Sequence, residues 1–378
     1  PYGRQSIDEA DIAAVVAVLQ SDWLTTGPKV AEFETAFTES IGAGHAVAVN
    51  SGTAALHAAV FALGIQPGDE VIVTPMTFAA SANAVLYQGG TPVFVDVDPD
   101  TLLIDPGTVS RAVTERTRAI IAVDYAGQPC DYDTLYAIAR EHNLRIIDDA
   151  CHAIGGSLNG RPVGTLADLS TFSFHPVKHI TSGEGGVITT DDADLAARMR
   201  RFRNHGIDSD HHQRSKTGSW FYEMHDLGFN YRLTDFQSAL CTSQLARLDG
   251  WVARRQAIAR QYDAAFAQMP AVRPLGYRAG AVHAHHLYVI QLELERLCVD
   301  REAIYAALRA EGIGVNVHYI PVYLHPYYRE QGYQTGLCPL AEAAYQRILS
   351  LPVFPAMSDA DVQDVIDAVG KVTSFYAA

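Results

Sequence analysis

Seven short apolar runs, strung between about residue 45 and residue 190, constrain the fold of this chain more than any other feature. They fall at 46–49, 71–74, 93–97, 119–123, 145–147, 171–174 and 186–189. Alanine-rich or amphipathic stretches with helical patterning, such as 54–63 and 132–141, separate most of them. Runs that are apolar throughout suit strands buried on both faces, and their alternation with helices predicts an α/β fold with a mainly parallel sheet. The connection from Phe174 to Gly186 is too short for a helical crossover, so one antiparallel neighbour is expected there.

At 378 residues the chain exceeds one ordinary core. Two domains are expected, a large one with an N-terminal arm over 1–250 and a smaller C-terminal α/β domain over 251–378. Residues 233–268 carry sustained helical patterning that bridges the two. Beyond them, strands are expected near 287–292 and 315–320, and helices over 301–311 and 358–372. The segment 207–226 is polar, aromatic and rich in histidine, and reads as a long loop of the kind that is usually functional.

Composition removes several function classes. Hydrophobic residues at 48% and charged residues at 19% describe a packed soluble protein. A net charge of −15 argues against nucleic acid or an anionic membrane as partner, so an anionic substrate needs a local cationic pocket. Cys130, Cys151, Cys241, Cys298 and Cys338 are scattered without CxxC spacing and read as reduced thiols. His205, His211, His212 and His225 fit no metal-ligand template, and no metal is expected. Neither GxGxxG nor GxxxxGK[ST] occurs, against a Rossmann dehydrogenase or a P-loop enzyme. No signal-like start and no run of about 18 apolar residues is present, so a cytoplasmic protein is expected.

Lys178 stands between the apolar run 171–174 and the turn Ser182-Gly183-Glu184-Gly185-Gly186. Asp148-Asp149 closes the run 145–147, and Asn50-Ser51-Gly52-Thr53 separates a strand-like run from a helix-like one. An amine, a carboxylate and a phosphate cradle are what a protein contributes to a pyridoxal 5′-phosphate (PLP) site. The lysine forms the imine, the carboxylate pairs with the pyridinium nitrogen, and the helix start holds the phosphate. Burial would also lower the lysine pKa from about 10.4, freeing its lone pair. Each element has a plainer explanation: a Ser-Gly-Thr helix cap, an aspartate capping the next turn, a solvated lysine, and at Phe78 a core aromatic. Successive strand side chains point to opposite faces, so only one of the two aspartates can serve; Asp149 is the choice, with Asp148 structural.

The ordered motifs together resemble the nucleotide-sugar aminotransferases of the DegT/DnrJ/EryC1/StrS family. The likeness is carried by Leu24-Thr25-Thr26-Gly27-Pro28, by Asn50 to Leu56, by Asp149-Ala150-Cys151-His152-Ala153 and by Ser173-Phe174-His175-Pro176-Val177-Lys178. It continues through the glycine turn, Gly228-Phe229-Asn230-Tyr231-Arg232-Leu233, Val317-His318-Tyr319-Ile320-Pro321 and Leu351-Pro352. The resemblance implies a type I PLP-dependent transferase, aspartate aminotransferase-like fold, working as a homodimer with shared active sites. It makes Lys178 the Schiff-base lysine and Asp149 the partner of the ring nitrogen. Phe78 stacks on one ring face, Cys151 lies against the other, and His152 sits near the phenolic oxygen. Gly52, Thr53 and Ser173 contact the phosphate, and Asn230 reaches it from the partner subunit. Substrate contacts are implied at Thr26, His175, Arg232 and His318.

Within the family, His175 before the lysine, Asp124-Tyr125-Ala126-Gly127 and His318 to Tyr323 are similar to the UDP-4-amino-4,6-dideoxy-N-acetyl-β-L-altrosamine transaminases of the pseudaminic acid route. The activity implied is transfer of an amino group from L-glutamate, released as 2-oxoglutarate, to C4 of a UDP-linked 4-keto-6-deoxy-N-acetylhexosamine. The alternatives are a GDP- or dTDP-linked sugar, a PLP-dependent sugar dehydratase, a cysteine desulfurase or a non-catalytic PLP-binding regulator. A dehydratase of the family is expected to carry histidine in place of Lys178. A desulfurase needs a mobile cysteine, and a regulator needs a DNA-binding module for which no residues are spare.

Overall fold

The apolar runs assemble into one seven-stranded sheet. In the computed structural model, which describes residues 1–208 and 218–378, the strands are β1 (His45–Val49), β2 (Glu70–Val73), β3 (Thr91–Phe94), β4 (Thr117–Val123), β5 (Arg145–Asp149), β8 (Leu169–Ser173) and β9 (Gly186–Thr190). Their spatial order is β1-β9-β8-β5-β4-β2-β3. The pairs β2–β3, β2–β4, β4–β5 and β5–β8 are parallel. The short link after Phe174 produces the antiparallel pair β8–β9, and β1 is antiparallel to β9 in turn. Two reversals restore the original direction. β1, β8, β5, β4 and β2 therefore all finish at one edge, and the residues that follow them, Ser51, Phe174 and Thr74 among them, gather there.

Helices cover both faces, as runs such as Val71–Val73 and Ile120–Ala122, all fully buried, require. The first of those that matter for the site is α3 (Gly52–Ala62), whose N-cap Ser51 accepts the Ala54 N–H at 3.0 Å. The helix Ala80–Tyr87 follows β2 and has no side-chain cap of its own. Phe33, Phe37, Phe172 and Phe174 close the core beneath β8 with edge-to-face contacts between 5.2 and 6.1 Å.

The helical patterning over 233–268 is two helices, Asp235–Leu245 and Leu248–Phe266, parted at Ala246 and Arg247. Thr234 and Gln237 form a capping box that starts the first. Beyond them β10 (Val272–Pro274), β12 (Tyr288–Leu292) and β13 (Ile348–Leu351) make an antiparallel sheet covered by the helices Arg301–Ala310 and Asp359–Phe375. Tyr262, Phe266, Ile290, Ile304, Leu349 and Val369 belong to a separate hydrophobic cluster there. A minor sheet joins β6 (Ser157–Leu158) to β7 (Arg161–Pro162) and β11 (Ala281–Val282).

The expected strand over 315–320 does not form. Only Asn316 bridges to Ser350, and the chain then turns so that His318 reaches Ser350 and Tyr319 reaches His152. Of the long loop, Ile207 bridges Met224 and the Asp208 N–H donates to Glu223 O at 3.1 Å; His211 and His212 lie outside the described residues. No described helix is long and apolar enough to cross a membrane.

Candidate active site

The common sheet edge brings the start of α3 against the end of β8. A Cβ on Gly52 would stand 2.8 Å from Ser173 Cβ and 3.3 Å from Cys151 Sγ, so no side chain fits at this position. Ser51 takes the Ala54 N–H and the Ala55 N–H begins the helical ladder. The N–H groups of Gly52 and Thr53 are then left for an anion at the positive helix end.

Asp149 ends β5 with its carboxylate nearly buried. Ser81 Oγ donates to its Oδ2 at 2.6 Å, and the Cys151 N–H donates to Oδ1 at a longer 3.3 Å. The capping of Cys151 is the plainer role foreseen for this residue, and it is the weaker of the two contacts. Asp148 points the other way, into a buried group with Asp124. Burial, and then the Asp124 carboxyl, hold the Asp148 pKa well above the usual carboxylate range, while burial lifts Asp124 to about 7.

Lys178 lies in the turn after β8, its N–H donating to His175 O at 2.9 Å. Burial depresses its amine pKa, and the neighbouring Cys151 and Asp149 pull it back only in part. His152 is buried, with Nε2 3.1 Å from the Tyr319 hydroxyl and Nδ1 without any partner. Burial keeps its ring neutral, well below the ordinary histidine value. Phe78 is 63% exposed, which rules out a core role, and its ring centre lies 6.3 Å from that of Tyr319.

Gly52, Ser173, Cys151, Asp149, His152 and Lys178 thus come together, with Phe78 and Tyr319 at the rim. Other expected residues lie elsewhere in the single chain. Thr26 and Arg232 line a cavity of about 900 Å³ with Arg200 and Arg203, and Arg232 Nη1 donates to Asn204 Oδ1 at 2.7 Å. Asn230 is exposed, its carbonyl accepting from Asn50 Nδ2 at 3.3 Å. His175 is exposed. His318 is buried with Nδ1 2.8 Å from Ser350 Oγ and Nε2 3.3 Å from Asn316 Nδ2, and burial lowers its pKa to about 4. Asp208, Glu223 and His225 bring ligand atoms within 4.8 Å of one another, all exposed, a grouping common without an ion.

Sequence reasoning missed Ser81, Thr77 and Tyr319. Tyr319 lay inside a quoted motif, whereas nothing local marks Ser81, whose partner is 68 positions away. The cradle at Gly52, the unpartnered His152 Nδ1 and the depressed lysine beside Asp149 fit PLP in its phosphate, phenolic oxygen, aldehyde and ring nitrogen.

A profile of the DegT/DnrJ/EryC1/StrS aminotransferase family matches residues 5–370. The chain belongs to this family. As a member it is a PLP-dependent sugar aminotransferase. The spore coat polysaccharide biosynthesis protein SpsC of Bacillus subtilis is 45% identical over 98% of this chain and 96% of its own length. The PMP form of Spr1654 from Streptococcus pneumoniae superposes with a TM-score of 0.94 at 32% identity, covering 99% of both chains. PseC of Helicobacter pylori, an aminotransferase involved in pseudaminic acid biosynthesis, superposes at 0.92 with 33% identity over 100% of this chain and 99% of its own. A family member of this kind is a type I PLP enzyme, and the mixed sheet with its flanking helices is that fold.

Proposed function

We propose that the enzyme moves an amino group from L-glutamate to C4 of a UDP-linked 4-keto-6-deoxy-N-acetylhexosamine, in the manner of pseudaminic acid biosynthesis. The observation that carries the transfer chemistry is the depressed amine of Lys178 beside the Asp149 carboxylate. The likeness to PseC over the whole chain supports the sugar class.

Lys178 is the residue that holds the cofactor covalently and, once freed, acts as the base. A depressed pKa favours its neutral form, the form able to take the proton leaving the glutamate Cα and to deliver one to sugar C4. Bound PLP supplies the electron sink for the carbon that loses its proton. Asp149 keeps the ring nitrogen protonated, and the Gly52 and Thr53 N–H groups with the Ser173 hydroxyl hold the phosphate. His152 meets the phenolic oxygen through the nitrogen that has no other partner. Phe78 and Cys151 flank the ring. Thr26, His175, Arg232 and His318 are assigned to substrate, with arginine suited to paired anionic oxygens.

The active form is a homodimer in which Asn230 serves the partner's phosphate site. Exposed Trp220, Phe221, Met224 and Leu227 lie just before Asn230 and support a covered face there. The cysteines are all unpaired, which supports a cytoplasmic enzyme.

A second reading keeps the chemistry and changes the sugar, to a GDP- or dTDP-linked 4-keto-6-deoxy sugar. It is favoured by the higher identity to SpsC, a polysaccharide biosynthesis protein, than to PseC. A panel of UDP-, GDP- and dTDP-linked 4-keto-6-deoxy sugars with glutamate, read by product mass and 2-oxoglutarate, separates the two. Turnover confined to a UDP-linked N-acetylhexosamine supports the first reading; preference for another nucleotide replaces it with the second.

A further inference from the structure

The five residues from Thr77 to Ser81 run from the end of the link after β2 into the first turn of the helix Ala80–Tyr87, and they do two things at once. Phe78 projects into the mouth of the site, while Ser81 and Thr77 turn inward and are buried. Ser81 Oγ lies 2.6 Å from Asp149 Oδ2, 2.7 Å from Thr77 Oγ1 and 3.4 Å from Phe78 O. A hydroxyl has one proton, and an ionised carboxylate can only accept. The short contact therefore takes the Ser81 proton to Asp149, and the Thr77 hydroxyl donates to Ser81 behind it. The chain runs one way, Thr77 to Ser81 to Asp149.

We propose that Ser81, backed by Thr77, is the positioning residue that sets the Asp149 carboxylate against the cofactor's ring nitrogen. The proposal rests on the reading of Asp149 given above. The plainer role for a serine in the first turn of a helix is capping, yet the helix Ala80–Tyr87 has no side-chain cap bond, and Ser81 points across to β5 instead. The other restraint on the carboxylate, the Cys151 N–H at 3.3 Å, is too long to hold it alone. Charge-assisted O–H···O⁻ bonds of this length are the strong ones, more so out of water. The segment that presents an aromatic face to the ring is thus the segment that orients the partner of the ring nitrogen.

The test uses Ser81→Ala, Ser81→Thr and Thr77→Val in the full-length enzyme, with Asp149→Asn and the Ser81→Ala/Asp149→Asn double variant. Three readouts apply: thermal melting without PLP, the pH titration of the visible band of the lysine-bound cofactor, and single-turnover conversion with glutamate. Ser81→Ala is expected to fold and bind PLP, to displace the titration midpoint, and to slow the single turnover about ten- to hundredfold, the effect of one lost bond to a charged group. Ser81→Thr, which keeps the hydroxyl, is expected to return within about threefold of wild type, and Thr77→Val to show a smaller loss in the same direction. In the Asp149→Asn background Ser81→Ala should add little, because both act through one group. An unshifted titration with a near-normal rate in Ser81→Ala, equal losses in the Thr and Ala variants, or full additivity with Asp149→Asn would each overturn the proposal. If Ser81→Ala fails to fold, an unshifted titration in Thr77→Val overturns it instead. An Asp149→Asn enzyme with normal turnover would remove the underlying reading of Asp149, and the proposal with it.

Discussion

The Tyr319 hydroxyl and His152 Nε2 stand 3.1 Å apart, while the other ring nitrogen of His152 is buried with no partner. The tyrosine fixes the plane of the imidazole, so the free nitrogen is aimed at whatever occupies the site. Tyr319→Phe is expected to weaken PLP binding and slow half-transamination by about two- to tenfold, the worth of one neutral hydrogen bond. PLP affinity by fluorescence titration checks it. An unchanged affinity would mean that His152 is oriented by its packing against His286, 4.4 Å away, and not by Tyr319.

The two aspartates of β5 should separate cleanly. Asp149→Asn is expected to retain PLP yet lose activity by at least about a hundredfold, since a neutral amide cannot hold the proton on the ring nitrogen. Asp148→Asn should be mild in activity. Burial raises the pKa of both Asp148 and Asp124. Such groups contribute most below about pH 4, the unfolded value, and that contribution is lost as pH rises through about 7, the folded value of Asp124. An amide in place of Asp148 avoids that loss, so Asp148→Asn should raise the melting temperature by about 1–3 °C at pH 8 and less at pH 5. Equal activity losses at the two positions would reverse the assignment.

Acid should act on the histidines. Burial lowers His57 and His318 to about 4 and His285 to about 3, with His152, His179, His283 and His286 also held well below the ordinary value. The unfolded chain takes up protons that these rings refuse, so stability is present above about pH 6.5 and is lost as pH falls. Each ring contributes up to about 1.4 kcal/mol per pH unit, enough for several to outweigh the opposite trend of the two carboxyls. Denaturant unfolding between pH 7 and pH 5 should show the loss; a flat profile would mean that the rings are solvated.

Much of this architecture could be read from the sequence, and the failures have physical causes. Continuous apolar runs marked every strand of the main sheet, and the short link from Phe174 to Gly186 marked its antiparallel step. The segment 315–320 carries strand-like side chains, but His318 is buried against Ser350 and half-buried Tyr319 is held by His152, not by a neighbouring strand. The break at Ala246 and Arg247 involves good helix formers and left no local signal. Lys178 and Asp149 stood out because strand and turn patterns framed them. Ser81 did not, because its role exists only once β2 and β5 lie in the same sheet.

Asn230 offers a test of the shared site. Its backbone lies against Asn50 of its own chain, next to the phosphate cradle, so service to either subunit must be decided by experiment. A mixed dimer of one Asn230→Ala chain and one Lys178→Ala chain would have both defects in one site and neither in the other if Asn230 acts across the interface. Activity should then recover to about half that of wild type per dimer. No recovery in confirmed mixed dimers would assign Asn230 to its own subunit.

The most direct measurement is a single turnover of Lys178→Ala with PLP and L-glutamate, following 2-oxoglutarate. Lys178 is the amine whose pKa burial depresses, with Cys151 and Asp149 as its titratable neighbours, and the proposed function makes it the base that moves the proton at the glutamate Cα. The variant is expected to keep its fold and its oligomeric state and to form no 2-oxoglutarate above the rate of free PLP with glutamate. Formation at near the wild-type rate would place the base elsewhere and contradict the assignment of the site to Lys178.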